Sequence, residues 1–259
     1  MDLFVRDTGP LQAPAVVFLH GGRVSGWSWE PVIARLPGYR CVAPDLPQFG
    51  KSVALGPFRI DRAAEAVATS IRSRFGTAGV HLVGYSLGAQ VGIDLLAREP
   101  ALFASAVLCG TFVNTLPLVQ PSARFVGALA RTAWSRRLVS YLWNARPLEV
   151  AANRTADYRE DMRLALSEDA AQIVSASAGF TVPDGLETSE VPALFITGAG
   201  EPWPAHRSAG ELARRMPRGV NAVAAGMRHD WPLRYPELFS RTLRCWLTNA
   251  DLPSQIAVR

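Results

Sequence analysis

A doubly wound α/β fold with a mostly parallel sheet is what this 259-residue chain predicts, and three observations carry the prediction. Short apolar runs of strand length alternate with longer stretches of helical periodicity, the pattern of a parallel sheet crossed by helices. One junction reads Gly84-Tyr85-Ser86-Leu87-Gly88 between the apolar run Val80 to Val83 and a helix-like stretch from Ala89 to Arg98, which is a strand, a sharp turn and a helix. The alternation then stops: from Thr111 to about Glu190 there is no strand-like run, only amphipathic helical stretches. A structureless connection of that length is implausible in a compact domain. Residues 1–110 and 191–259 are therefore expected to form one core, and 111–190 an inserted helical cap.

Taken in order, Leu3 to Val5 and Ala15 to Leu19 read as strands, Trp27 to Leu36 as a helix and Tyr39 to Ala43 as a strand. Arg59 to Phe75 has helical periodicity, with Asp61 near its start and Gly76 as the stop signal. After the turn at Ser86 and its helix, Ser105 to Cys109 is the next strand. Within the insertion, Ala123 to Thr132, Asp157 to Leu166 and Asp169 to Ala176 are amphipathic. The core resumes with a strand at Val191 to Thr197, a helix near Ser208 to Met216 and a strand at Val220 to Ala224. A last helix runs from Pro236 to Leu247, where proline suits a first turn.

Composition bounds the function. With 49% hydrophobic and 19% charged residues the chain supports one sizeable core and needs no second independent domain. The start, Met1 to Asp7, lacks the basic and long apolar regions of a secretory signal, and no stretch approaches the ~18 apolar residues of a membrane span. A cytoplasmic protein without stable membrane anchoring is expected. Cys41, Cys109 and Cys245 are odd in number, widely spaced and in apolar context, so they are read as reduced core residues; no metal-ligand spacing occurs and no metal or organic cofactor is expected. The net charge is +5, carried almost wholly by arginine, with Lys51 the only lysine. Arg124, Arg131, Arg136, Arg137 and Arg146 cluster in the insertion and are read first as a solvated helix face, second as a surface favouring an anionic substrate or a membrane surface. A small-molecule substrate, no nucleic acid, and a monomer or homodimer are expected.

The G-x-S-x-G pattern alone is weak, since roughly one chain in ten of this length would hold it by chance at average glycine usage. Its company is specific. His20-Gly21-Gly22 follows a buried strand; Gly26-Trp27-Ser28-Trp29, then Pro44-Asp45-Leu46-Pro47-Gln48-Phe49-Gly50-Lys51-Ser52, the Ser86 turn and Gly226-Met227-Arg228-His229 follow in turn. In order and approximate spacing these segments resemble the α/β-hydrolase family along nearly the whole chain. Gln48 departs from it, standing where relatives usually carry glycine, and is read as altered loop geometry.

The resemblance implies a nucleophile elbow at Ser86, with an oxyanion hole formed by the backbone N–H of Leu87 and a second N–H from Gly22 or Arg23. His229 occupies the place of the family's catalytic histidine. Of the other three histidines, His81 opens a strand and is read as structural, His20 as a brace for its loop, and His206 as too near the acid position to reach across from the histidine loop. Glu201 is the one carboxylate in Gly198 to Pro204, where the family usually has aspartate, and glutamate is a recognised variant. Gly110 to Leu116, the alternative acid position, holds only Asn114, and Asp230 is expected to point elsewhere. Asp45 is read as a turn-former, Trp27 and Trp29 as helix-packing residues with Trp27 also a candidate pocket wall, and Phe125, Trp134, Tyr141 and Trp143 as the core of the cap.

The implied activity is that of a serine hydrolase acting on a small ester, thioester or related carbonyl compound through an acyl-enzyme. A lyase or carbon–carbon bond hydrolase of the same fold is the alternative, because the Gly-Tyr-Ser-Leu-Gly elbow with Pro-Asp-Leu-Pro upstream also resembles the menaquinone-pathway lyase that releases pyruvate. A ligand-binding pseudo-hydrolase is the non-enzymatic alternative.

Overall fold

A computed structural model describes residues 2–113, 152–165 and 170–259. Eight strands form one sheet: β1 (Val5–Thr8), β2 (Ala15–Leu19), β3 (Arg40–Pro44), β4 (Val80–Tyr85), β5 (Phe103–Cys109), β6 (Ala193–Gly198), β7 (Gly219–Ala224) and β8 (Ile256–Val258), in the order β1-β3-β2-β4-β5-β6-β7-β8. The six central strands run parallel, and the edge strands β1 and β8 are antiparallel to their neighbours.

Burial on both faces explains why β2 is apolar throughout. Val17 and Leu19 join Leu82, Leu108 and Phe195 on one face, while Val16 and Phe18 join Val83, Val107 and Ile196 on the other. The first face is covered by α2 (Ile60–Phe75), α3 (Leu87–Arg98) and α6 (Trp203–Arg215), through Val67, Ile71, Val91, Leu95 and Leu212. The second is covered by α1 (Glu30–Ile33), α7 (Trp231–Arg234) and α8 (Pro236–Leu247), through Val32, Trp231, Phe239 and Leu243. Trp29, fully buried, has its ring stacked on Phe239 at 5.6 Å and tilted against Phe18 at 5.3 Å. Truncating such a side chain to alanine costs about 3–5 kcal/mol.

Three elements differ most from expectation and one strand is unexpected, each for a local reason. β1 begins at Val5 and continues through Arg6-Asp7-Thr8, because pairing with β3 holds an edge strand whose residues need not be apolar. The helix expected over Trp27 to Leu36 is instead a 3₁₀ turn, Gly26–Trp29, followed by the single turn of α1 with Pro31 at its start. α6 starts at Trp203, five residues before Ser208, with Pro204 in its first turn. β8 has no long apolar run and gains its structure from the edge of β7.

Within residues 111–190, α4 (Thr155–Ala165) and α5 (Ala170–Ala178) are described and overlap two of the amphipathic stretches. The third, Ala123 to Thr132, the aromatics Phe125, Trp134, Tyr141 and Trp143, the five clustered arginines and Asn114 lie outside the described residues. Among the described residues no helix is long and apolar enough to cross a membrane.

Candidate active site

Ser86 stands where the chain reverses from β4 into α3, at φ 54° and ψ −114°. A side chain in that region stores strain of order 1–3 kcal/mol. A Cβ on Gly84 would lie 2.8 Å from the Cα of Ala89, and one on Gly88 only 2.3 Å from the carbonyl oxygen of Leu19. Strand, turn and helix are thus packed too closely for any larger residue, and the backbone N–H of Ser86 is held by the Cys109 carbonyl at 2.8 Å. The serine itself is half-buried, with its hydroxyl at the N-terminal end of α3.

His229 comes from the loop between β7 and α7. Its Nε2 is 3.1 Å from Ser86 Oγ, and its Nδ1 is 2.7 Å from Glu201 Oε2. The Glu201 side chain is fully buried, and its Oε1 accepts the Gly198 N–H at 2.7 Å. An ionised carboxylate only accepts, so Nδ1 carries the proton and Nε2 is left to accept from the serine hydroxyl. The three residues predicted from sequence are brought together in one chain of hydrogen bonds.

Two residues outside the sequence prediction shape this arrangement. Gly110 has φ +62°, and a Cβ there would lie 2.9 Å from Nδ1 of His229. His206, set aside as a base, bonds through Nδ1 with the Thr197 hydroxyl at 2.8 Å and through Nε2 with the Glu201 carbonyl at 3.2 Å, bracing the turn that presents the carboxylate. Beside them Tyr85, its ring centre 5.2 Å from that of His229, stays a neutral phenol: burial first, then the nearby negative groups, pushes its pKa well up.

The loop from His20 to Gly26 is held by side chains. Position 22 lies against Leu87, with a Cβ there 3.5 Å from the leucine side chain, so the two glycines after His20 bring their backbone to the start of α3. The first N–H groups of a helix have no intrahelical partner and are suited to a developing negative charge. His20 is buried, accepts the Leu46 N–H at Nε2 (2.9 Å) and donates from Nδ1 to the Gly21 carbonyl (2.8 Å). Burial lowers its pKa to about 4, against the opposing bond to Gly21, so it is a neutral brace. Asp45, also buried, accepts from the Gly26 and Lys51 N–H groups at 2.8 and 2.9 Å and from Arg6 at 2.5 Å. It is a turn-former that also ties two loops to the edge of the sheet.

Asp161 of α4 had no sequence signal, being one acid among many on an amphipathic helix. It is buried, and its Oδ2 accepts from Ser25 Oγ at 3.0 Å and Trp27 Nε1 at 2.7 Å. Burial raises its pKa to about 6, against those two bonds. Trp27 thus anchors α4, whereas Trp29 is core. Residues 152–178 also supply Arg154, ion-paired with Glu30, and Ile173, which lies 4.0 Å from a Cβ placed at Gly22.

The remaining expectations sort simply. Gln48 has φ +72°, a conformation that glycine adopts without strain, and its Oε1 accepts the Phe58 N–H at 2.5 Å. His81 bonds with Ser105 Oγ at 2.9 Å, away from the site, and Asp230 turns to Arg234. Cys41 and Cys109 are buried free thiols whose pKa burial pushes up, that of Cys41 to about 12, whereas Cys245 is only half-buried because it lies on the outer side of α8. Among the described residues no group of three or more His, Cys, Asp or Glu is placed to hold a metal ion.

Comparison with known proteins bears on the fold and the family. The chain is 27% identical over 262 residues to the 2-succinyl-6-hydroxy-2,4-cyclohexadiene-1-carboxylate synthase of Serratia proteamaculans, covering 95% of this chain and 97% of that one. It is 25% identical over 265 residues to the pimeloyl-[acyl-carrier protein] methyl ester esterase of Neisseria meningitidis serogroup A, covering 96% and 82%. The fold matches that of the enol-lactonase from Burkholderia xenovorans LB400 with a TM-score of 0.74 at 19% identity, over 95% of this chain and 96% of that one. The sequence pattern of the alpha/beta hydrolase family matches residues 16–242, and the chain belongs to that family and is an enzyme of it.

Proposed function

We propose that this enzyme is a serine hydrolase that cleaves a small ester, thioester or related carbonyl substrate through an acyl-enzyme. The observation that carries the reading is the hydrogen-bonded run from Ser86 Oγ through His229 to the buried Glu201 carboxylate. His229 Nε2 takes the hydroxyl proton as Ser86 Oγ attacks the substrate carbonyl, and Glu201 stabilises the imidazolium that forms. The N–H groups of Leu87 and Gly22 receive the oxyanion. Collapse of the tetrahedral intermediate expels the alcohol or thiol, which takes its proton from His229. A water deprotonated by His229 then attacks the acyl-enzyme, and Ser86 recovers its proton as the acid leaves. In this reading residues 111–190 are a cap over the site, and Arg154, Asp161 and Ile173 are its contacts with the core.

The test is hydrolysis of a panel of short-chain p-nitrophenyl esters and thioesters by wild type and Ser86→Ala. The expected result is wild-type turnover reduced at least 10³-fold in the variant; equal turnover would refute the reading. A carbon–carbon lyase is the second reading, favoured by the full-length similarity to the Serratia synthase. It predicts Ser86-dependent turnover of an anionic cyclohexadiene carboxylate with little ester cleavage.

A further inference from the structure

Arg23 follows the oxyanion-loop glycines and is half-buried. Its guanidinium feels the phenols of Tyr158, on α4, and Tyr85, the residue before the nucleophile. Among the described residues its one side-chain polar contact is to a thioether, with Nη2 3.6 Å from Sδ of Met162. Thioether sulfur is a weak acceptor. Among the described residues no carboxylate comes within ion-pair distance of Arg23, whereas the arginines of the sheet edge are paired, Arg6 with Asp45 and Arg40 with Asp7. Burial holds the Arg23 pKa below the ordinary arginine value, and the neighbouring phenols only partly oppose that. A desolvated cation with a poor acceptor is costly in the free protein and is relieved by an anion that lies against it.

We propose that Arg23 forms a carboxylate-binding subsite beside the nucleophile, so that the preferred substrate is an ester or thioester carrying a free carboxylate a few bonds from the reacting carbonyl. This rests on the serine-hydrolase reading and names its substrate class. A planar guanidinium presents paired N–H donors that match a carboxylate in two parallel bonds. Arg23 brings a single positive charge, which a single carboxylate matches. In this proposal the Arg23 side chain holds the acidic group while the backbone beside it serves the oxyanion.

Two measurements test the subsite. In the first, kcat/KM is determined for mono-p-nitrophenyl succinate and glutarate and for p-nitrophenyl butyrate, in wild type, Arg23→Gln and Arg23→Lys. The acidic-to-neutral ratio is expected to fall at least 30-fold in Arg23→Gln, mainly through KM, and less in Arg23→Lys, which keeps the charge and loses the fork. An unchanged ratio overturns the proposal. In the second, glutarate and butyrate are titrated calorimetrically into Ser86→Ala with and without Arg23→Gln, so that turnover is not needed. Glutarate binding weakened at least 10-fold by Arg23→Gln, with melting temperature retained, supports the subsite; equal glutarate binding in the two proteins overturns it. Loss of ester turnover in wild type together with Arg23-dependent glutarate binding would refute the hydrolase reading and leave the subsite standing.

Discussion

The two sides of the active site are held in place by different means. On the nucleophile side most constraints are backbone constraints: the positive φ of Ser86, the close approaches at Gly84 and Gly88, the Gly198 N–H on Glu201 and the bare Cα of Gly110 beside His229, with the His206 side chain bracing the Glu201 turn. On the oxyanion side the constraints are buried polar side chains: His20 on Leu46, Asp45 on Gly26 and Lys51, and Asp161 reaching from α4 to Ser25 and Trp27. The difference teaches where each half is vulnerable. Backbone geometry is insensitive to pH and intolerant of added atoms, whereas a network of buried titratable groups responds to pH and ties the loop to whatever element supplies the partner.

The largest effects come from breaking the nucleophile side. His229→Ala is expected to lower kcat on an active ester at least 10³-fold, and Glu201→Gln about 10²- to 10⁴-fold through the wrong imidazole tautomer and a weaker imidazolium, both read in steady-state kinetics. An effect of Glu201→Gln below 3-fold would remove Glu201 from the account. Gly88→Ala brings a methyl 2.3 Å from the Leu19 carbonyl; it is expected to cost about 3 kcal/mol or more in urea denaturation, since backbone must shift. Tolerance of alanine there would mean that the elbow is not held by close packing.

On the oxyanion side the effects are smaller and depend on pH. Asp161 has its pKa raised from 3.8 to about 6 in the folded protein. Between those values the folded state holds the extra proton, so its contribution makes stability fall as pH rises from 4 to 6, by roughly 2–3 kcal/mol at most. His20 works in the opposite direction: its pKa is lowered from 6.5 to about 4, so the unfolded state holds the extra proton and stability is lost as pH falls through that window. The two slopes offset one another. Asp161→Asn keeps an acceptor for Ser25 and Trp27 and removes only the Asp161 term, so it is expected to be more stable than wild type at pH 7 and to lose stability more steeply toward pH 4. Denaturation curves of the two proteins at pH 4, 5, 6 and 7 check this; parallel pH profiles would contradict it.

Legibility in the sequence follows the same division. Backbone devices are written in residue type, because glycine at 84 and 88 and serine between them leave few other structures, and the apolar runs of β2, β4 and β6 announce strands buried on both faces. The meeting of Glu201 and His229 with Ser86 was expected from the family resemblance of the loops that carry them, and the three are hydrogen-bonded in the structure. The oxyanion-side network was not, because Asp161 lies 136 residues from Ser25 and nothing in an amphipathic helix distinguishes the acid that turns inward. Edge strands escaped for a related reason: β8 and the polar half of β1 take their structure from a neighbour's hydrogen bonds. Arg23 was legible as a residue and not as a charge without a carboxylate.

The central claim is that Ser86 is activated by His229, and the most direct measurement is intact and peptide mass spectrometry after brief treatment with a fluorophosphonate, on wild type and on His229→Ala. The account predicts a single adduct on Ser86 in wild type that forms at least 100-fold more slowly in the variant. An adduct at another residue, or labelling of Ser86 at the same rate without His229, would contradict it.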